Sequence, residues 1–427
     1  MSTDPSPTRQ PLLVRTIPIE DPGNLTALLP HPDPAQVLSW VREGKGIIGM
    51  GQAHRIETQG RKRFEQADLL FRQVAKRAVT RDEVNRFGTG LIAFGAFAFS
   101  HNSPAGGALI IPEIVVGRDD HGAWLTHISN HLDPTPTIAD VRKHIQPYRP
   151  RIKPHFSGGS LTKQQWLHAV EQVMGRIHEG EAEKVVISRD LFAHFPTPGD
   201  GRRVVERLSR EYPTCWTFSV DGLFGATPEL LVRRHRGLIS SRVLAGTIQR
   251  GSNPEQDAQR AAALVQDSKE RLEHALAVQS LVDSLHPYAS SISVPDAPFI
   301  LHLPNVMHLA TDVTAAPQDQ AQTVSSLALA EIFHPTAAVC GTPTPIAAEI
   351  LAEHERLDRH RYAGPVGWIG ADGDGEWGIA LRCGRAVNET TWQIFAGCGV
   401  MADSRPEAEW AETEAKLAPM RAALTLS

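Results

Sequence analysis

After about residue 180 the chain alternates short runs of branched apolar residues with longer stretches whose apolar positions recur at helical spacing. The run EKVVISRDLFAHF, Glu183–Phe195, reads as a strand. Further strands are expected around Cys215–Val220, Leu230–Arg233, Leu238–Val243, Gly364–Trp368, Glu376–Ala386 and Thr390–Ala396. A proline- and basic-rich link, YRPRIKPHFSGGS, ends at Ser160, which is expected to cap an amphipathic helix running through Met174 and Ile177 to about Glu179. Long helices are predicted at about Pro254–Leu285 and Arg405–Leu424. Residues 1–150 mix β-like runs such as Gly107–Val116 with helical stretches such as Asp33–Arg42, and no chemistry stands out there. Hairpin-sized loops join many of the strands, so the sheet should be largely antiparallel. The string DGDG at Asp372–Gly375 fits a tight hairpin turn, because it lacks the later glutamate of a calcium loop.

Composition narrows the partners. In 427 residues the formal charge is −5 and 41% of positions are hydrophobic, enough for a large core. No stretch combines clustered Lys and Arg with aromatics, which argues against nucleic acid and for a small-molecule partner. The first ten residues are polar, and the longest apolar run, Leu91–Phe99, is too short to span a bilayer. The expectation is a cytoplasmic protein that meets no membrane. Cys215, Cys340, Cys383 and Cys398 lie far apart with no C-x-x-C, and are expected as reduced core thiols. Residues from about 151 to 427 are taken as the catalytic region, and residues 1–150 as the N-terminal part of the same fold, since no flexible linker separates them.

The chemistry begins with a charged helix, SRPEAEWAETEAKLAPM, Ser404–Met420. Ser404 followed by Glu407 reads as a capping box. Glu409, Glu412 and Lys416 fall on one helical face, whereas Glu407 and Glu414 point elsewhere. Alone this is a solvated face with one glutamate–lysine pair. A second acidic pair, Glu270 and Glu273, has the same spacing inside DSKERLEH, Asp267–His274. Two helices that each offer a glutamate pair can hold a hard divalent cation, and Mg²⁺ prefers few carboxylates with retained waters.

Along residues 183–417 stand, in order, EKVVISR, FGATPELLV, LAGT, SKERLEH, MHLATDV, HPTAAVCGTP, RYAGPVGW, LRCGRA, FAGCGVMADS and EWAETEAKL. In this order they resemble the chorismate-utilising enzymes, which include anthranilate synthase component I, aminodeoxychorismate synthase, salicylate synthase and isochorismate synthase. The resemblance covers roughly residues 160–425 and implies an α+β fold of large antiparallel β-sheets sandwiched by helices, with the active site between the sheets. It implies that Glu273 and Glu412 bind Mg²⁺, that Glu270 and Glu409 act through its waters, and that the ion grips the ring carboxylate of chorismate. Tyr362, Arg382 and the Gly399 amide would hold the enolpyruvyl carboxylate, and Lys416 would help to neutralise a substrate carboxylate. Thr247 and His308 would lie near the ring, and His334 would shape the site.

Members of the family differ in the nucleophile that adds at C2 while the C4 hydroxyl leaves. Glu229 matches the family's general acid, which must be protonated to act. Lys184 stands where members using ammonia resemble one another in carrying glutamine and members using water carry a basic lysine. Ala245 replaces the nucleophilic lysine of many aminodeoxychorismate synthases. His334 and Ala338 differ from the phenylalanine and threonine that the matching segment tends to carry in salicylate synthases. The resemblance is therefore to a Mg²⁺-dependent isochorismate synthase serving menaquinone or catechol siderophore synthesis, expected as a monomer with no amidotransferase subunit. A salicylate synthase, which goes on to eliminate pyruvate, is the alternative; a non-catalytic binding protein on the same fold is a third reading.

Overall fold

The computed structural model describes residues 10–318 and 324–425; most of the polar N-terminal stretch lies outside them. Two large sheets dominate, of thirteen and ten described strands. Neighbours pair antiparallel throughout, except for the parallel pair Leu13–Ile19 and Val79–Asp82. The expected α+β architecture is observed. Each sheet runs without a break across residue 150. In the first, Trp216–Val220 pairs with Leu38–Arg42, Phe218 opposite Trp40. In the second, Pro365–Gly370 pairs with Ile92–Phe97, Trp368 opposite Phe94.

The core between the sheets is built from large side chains that alternate inward, among them Trp40, Phe94, Phe97, Trp124, Phe218 and Trp377, each at most 1% exposed. Helices cover the outer faces. Lys163–His178 and Thr344–His354 pack against the strand Lys184–His194 through Trp166, Val170 and Ile350. The C-terminal helix Pro406–Thr425 packs through Leu417, Met420 and Leu424.

Several local expectations are corrected. Asp33–Arg42 is not a helix: Asp33 caps a single 3₁₀ turn at Pro34–Gln36, and Leu38–Arg42 is a strand buried on both faces, so its sequence shows no alternation. Gly107–Val116 splits at Pro112 into Gly107–Ile111 and Ile114–Asp119, and the two halves join different sheets. Thr162, rather than Ser160, caps its helix in a capping box with Gln165, while Ser160 is tied to Asp190. Pro254–Leu285 is two helices, because Asp267 ends Pro254–Gln266 and caps Ser268–Leu285 through the amides of Lys269 and Glu270. Glu376–Ala386 splits at Arg382, whose φ of 48° turns the chain between sheets. Ser404 forms no capping box with Glu407; its hydroxyl takes the Met401 amide at 3.0 Å and donates to Glu409 at 2.7 Å. The DGDG hairpin turn is present between Pro365–Gly370 and Gly375–Ile379. All four cysteines are free and buried, and no described helix is long and apolar enough to cross a membrane.

Candidate active site

The site lies where the chain passes from one sheet to the other. Pro228–Glu229 links the strand Leu223–Thr227 of the first sheet to Leu230–His235 of the second. Ala380–Arg382 makes the return crossing. Beside them, Lys184 opens the strand that pairs with Thr391–Val400, with Val186 opposite Gly399. These crossings enclose a cavity of about 150 Å³, the space of one small ring. Lys184, Glu229, Thr247, Glu270, Glu273, His308, Ala338, Tyr362, Arg382, Gly399, Glu409, Glu412 and Lys416 all line it. Thus every catalytic, substrate-binding and metal residue expected from the sequence is brought to one place. His334 lies outside this lining, edge-on to the Phe99 ring, with its Nε2 donating to the Phe99 carbonyl at 3.1 Å.

The two acidic helices face each other across the cavity. Glu273 accepts a hydrogen bond from Lys184 Nζ, and Glu412 pairs with Lys416 at 2.5 Å. Lys416 also donates to the Gly397 carbonyl at 3.0 Å. Glu270 accepts the Thr247 amide at 3.0 Å. Burial, then the neighbouring carboxylate of Glu273 and more distantly that of Glu412, pushes the Glu270 carboxyl above its ordinary range. Burial and Glu412 do the same to Glu409, against the hydrogen bond from Ser404. Burial opposes ionisation of Glu412 as well, but Lys416, Arg382 and Lys184 together hold it below its ordinary value. Among the described residues no three His, Cys, Asp or Glu side chains form a ready coordination shell, since Glu273 and Glu412 are turned to lysines. The donor chemistry nevertheless fits a hard cation: four carboxylates, two of them raised by burial and then by their neighbours, would gain from a divalent charge.

The other side of the cavity is cationic and neutral. Arg382 can only donate, so its contact to His308 Nε2 at 3.4 Å makes that nitrogen the acceptor. His308 Nδ1 then carries the proton and donates to Thr247 Oγ1 at 2.9 Å, which leaves the threonine hydroxyl free to donate into the cavity. Burial, with Arg382 and Lys416 nearby, holds the His308 imidazole well below its ordinary value, hence neutral. Tyr362 stacks on Phe395 with ring centroids 5.0 Å apart. Glu229 is 4% exposed, and burial pushes its carboxyl up to about 8, opposed by the Lys184 charge. Gly399 has a steric reason to be glycine: a Cβ there would stand 2.5 Å from Lys184 Cε.

A buried ion pair sets the frame. Arg359 donates to both carboxylate oxygens of Glu355 at 2.7 and 2.6 Å, to the Val186 carbonyl at 2.6 Å and to the Val339 carbonyl at 2.8 Å. Glu355 in turn accepts the Ser188 amide at 2.8 Å. The strand that carries Lys184 is thereby fixed to the segment that carries Ala338. Sequence reasoning missed this pair, and also Lys269 and Cys398 in the cavity wall. Lys269 and Cys398 were within reach, since they lie inside SKERLEH and FAGCGV; the Glu355–Arg359 spacing resembles any helical surface pair.

An antiparallel two-sheet fold with an acid, a buried lysine, facing carboxylates and a cationic wall around a one-ring cavity defines an enzyme for a small anionic ring compound. The chain belongs to the chorismate-binding enzyme family, whose model matches residues 13–425. It is 30% identical over 408 residues to the isochorismate synthase MenF of Bacillus subtilis, covering 88% of this chain and 85% of that one. It is 35% identical over 272 residues to the isochorismate synthase DhbC of the same organism, covering 61% and 68%. The solved structure of the menaquinone-specific isochorismate synthase MenF of Escherichia coli superposes with a TM-score of 0.80 at 24% identity, covering 97% of this chain and 95% of that one, and shares the fold.

Proposed function

We propose that this chain is a Mg²⁺-dependent isochorismate synthase that interconverts chorismate and isochorismate. The observation that carries the reading is the pairing, in one cavity, of a buried lysine at position 184 with a buried Glu229 that keeps its proton at neutral pH. Lys184 Nζ takes a proton from water as its oxygen bonds to C2, the ring double bonds shift, and Glu229 gives its proton to the hydroxyl leaving C4. Water is consumed and water is released, so the reaction is isomerisation and runs both ways. Arg382 and the Gly399 amide receive the enolpyruvyl carboxylate beside the Tyr362 ring. The neutral His308 and Thr247 give the ring hydroxyls a donor without adding charge. Glu273 and Glu412, backed by Glu270 and Glu409, would hold Mg²⁺, which when bound supplies positive charge for the ring carboxylate.

Ala245 and Ala338 offer no nucleophile or hydroxyl from their places in the wall, consistent with a path that involves neither a covalent enzyme intermediate nor pyruvate elimination. We take the protein to act as a single cytoplasmic chain without an amidotransferase, in menaquinone biosynthesis, with catechol siderophore biosynthesis as the other outlet. The MenF relative, matched over 88% of this chain, supports that order. Lys184→Ala tests the reading: isochorismate formation should fall by about 10² to 10⁴-fold with the melting temperature retained. Wild-type turnover in that variant would remove lysine as the base.

A further inference from the structure

Glu229 stands between two cavities. Besides the substrate cavity it lines a second one of about 400 Å³, and among the described residues only Glu229 and Ala338 belong to both. The inner end of the second cavity is the buried Glu229; its outer end reaches exposed Pro345 past half-buried Ser280, Ser284 and Ala348. The Glu229 carboxyl makes no hydrogen bond with another described residue, and its oxygens are not sealed among apolar atoms. Two other residues of its wall, His334 and Thr336, each carry a buried polar atom without a protein partner, Nδ1 and the hydroxyl. Buried polar atoms of this kind are ordinarily satisfied by ordered water. Ser241, Ser280 and Ser284 also line the passage; the Ser241 and Ser284 hydroxyls donate to the Leu231 and Ser280 carbonyls at 2.8 Å, which leaves their oxygens as acceptors for a chain of waters.

We propose that this second cavity is a water port through which the C4 oxygen, protonated by Glu229, leaves the enzyme and through which water returns for the reverse reaction. The inference rests on the isochorismate synthase reading. In the forward direction one C–O bond forms at C2 from solvent water and one breaks at C4. The departing oxygen carries away its own proton and that of Glu229, so a molecule of water appears at the carboxyl and must go somewhere. The substrate occupies the front cavity, and the rear one is the open space next to the acid. Glu229 would then meet different water on its two sides, one drawn to C2 and one released from C4.

The test uses the full chain in H₂¹⁸O with unlabelled chorismate. Mass spectrometry follows ¹⁸O entering isochorismate at C2 and, by reversal, entering residual chorismate at C4. Ser280→Phe and Ala348→Leu fill the passage from two different helices, and neither touches the substrate cavity. With the port narrowed, the released water stays to be reused. Label in chorismate per isochorismate formed should then drop at least threefold at early times, while label in isochorismate is unchanged. The same ratio in both variants as in the wild type would overturn the port. Should one variant fail to fold, the other decides, with Ser280→Val as a milder filling on the same helix. Failure of the wild type to form isochorismate at all would instead overturn the function on which the port depends.

Discussion

Replacing Glu229 by glutamine should cut activity sharply and stabilise the protein, and the stabilisation should depend on pH in a defined way. The carboxyl is raised from 4.5 to about 8 because burial disfavours its charged form. At pH 7 an ordinary carboxyl is protonated about 0.3% of the time and one at 8 about 90%, a gain of roughly 300-fold in competent acid. The same shift opposes folding. Below 4.5 the group is protonated in folded and unfolded chains alike, and its contribution is at its most favourable. Between 4.5 and about 8 the unfolded chain releases a proton that the folded chain keeps, so stability falls as pH rises; above about 8 the loss is complete. At pH 7 the loss integrates to roughly 3 kcal/mol. A neutral glutamine of the same shape avoids it. Urea unfolding of wild type and Glu229→Gln at pH 5, 7 and 8.5 should show a stability difference that grows with pH toward about 3 kcal/mol or more, with unchanged m-values. The activity of the variant should fall by about 10² to 10⁴-fold. A glutamine variant that is less stable at every pH, or whose stability difference is flat across that range, would refute the argument that burial holds the proton.

Other outcomes follow from the same geometry. Gly399→Ala would put its Cβ 2.5 Å from Lys184 Cε, about an ångström inside ordinary contact. The lysine must move, and a displacement of that size costs about 10²-fold in kcat while the Gly399 backbone amide remains; steady-state kinetics with kcat near wild type would contradict the placement of Lys184. Mg²⁺ at about 100 times its Kd should stabilise the wild type by about 2.7 kcal/mol, read as a rise in melting temperature, and Glu273→Gln with Glu412→Gln should remove that rise. An equal shift in the double variant would move the cation elsewhere. Arg359→Met leaves Glu355 buried without its partner and should cost about 3 to 5 kcal/mol in urea unfolding, whereas adding Glu355→Gln should recover part of that cost.

The sequence carried the site better than the frame around it. All the catalytic, binding and metal candidates came from contiguous motifs such as SKERLEH and FAGCGV, and each lines the cavity because a short motif moves with its strand or helix. What stayed hidden depends on long-range packing. Leu38–Arg42 is buried on both faces, with Leu38 and Trp40 in one core cluster and Val41 in another, so it lacks the alternation that marks a half-buried strand. The break at Asp267 turns on a side chain that caps the following helix, which the helical periodicity on either side conceals. The bend at Arg382 requires a left-handed residue where the sequence reads as a continuing strand. Residues 1–150, silent about chemistry, supply the strands that continue both sheets. The Lys184–Glu273 pairing and the second cavity are properties of assembled walls and have no local signature.

The most direct test of the central claim is to incubate the purified protein with Mg²⁺ and chorismate, and separately with isochorismate, and to identify the products by chromatography with a pyruvate assay alongside. Both reactions should converge on the same chorismate-to-isochorismate ratio, EDTA should stop them, and no pyruvate should accompany the product. Stoichiometric pyruvate with salicylate, or no turnover in either direction, would contradict that claim.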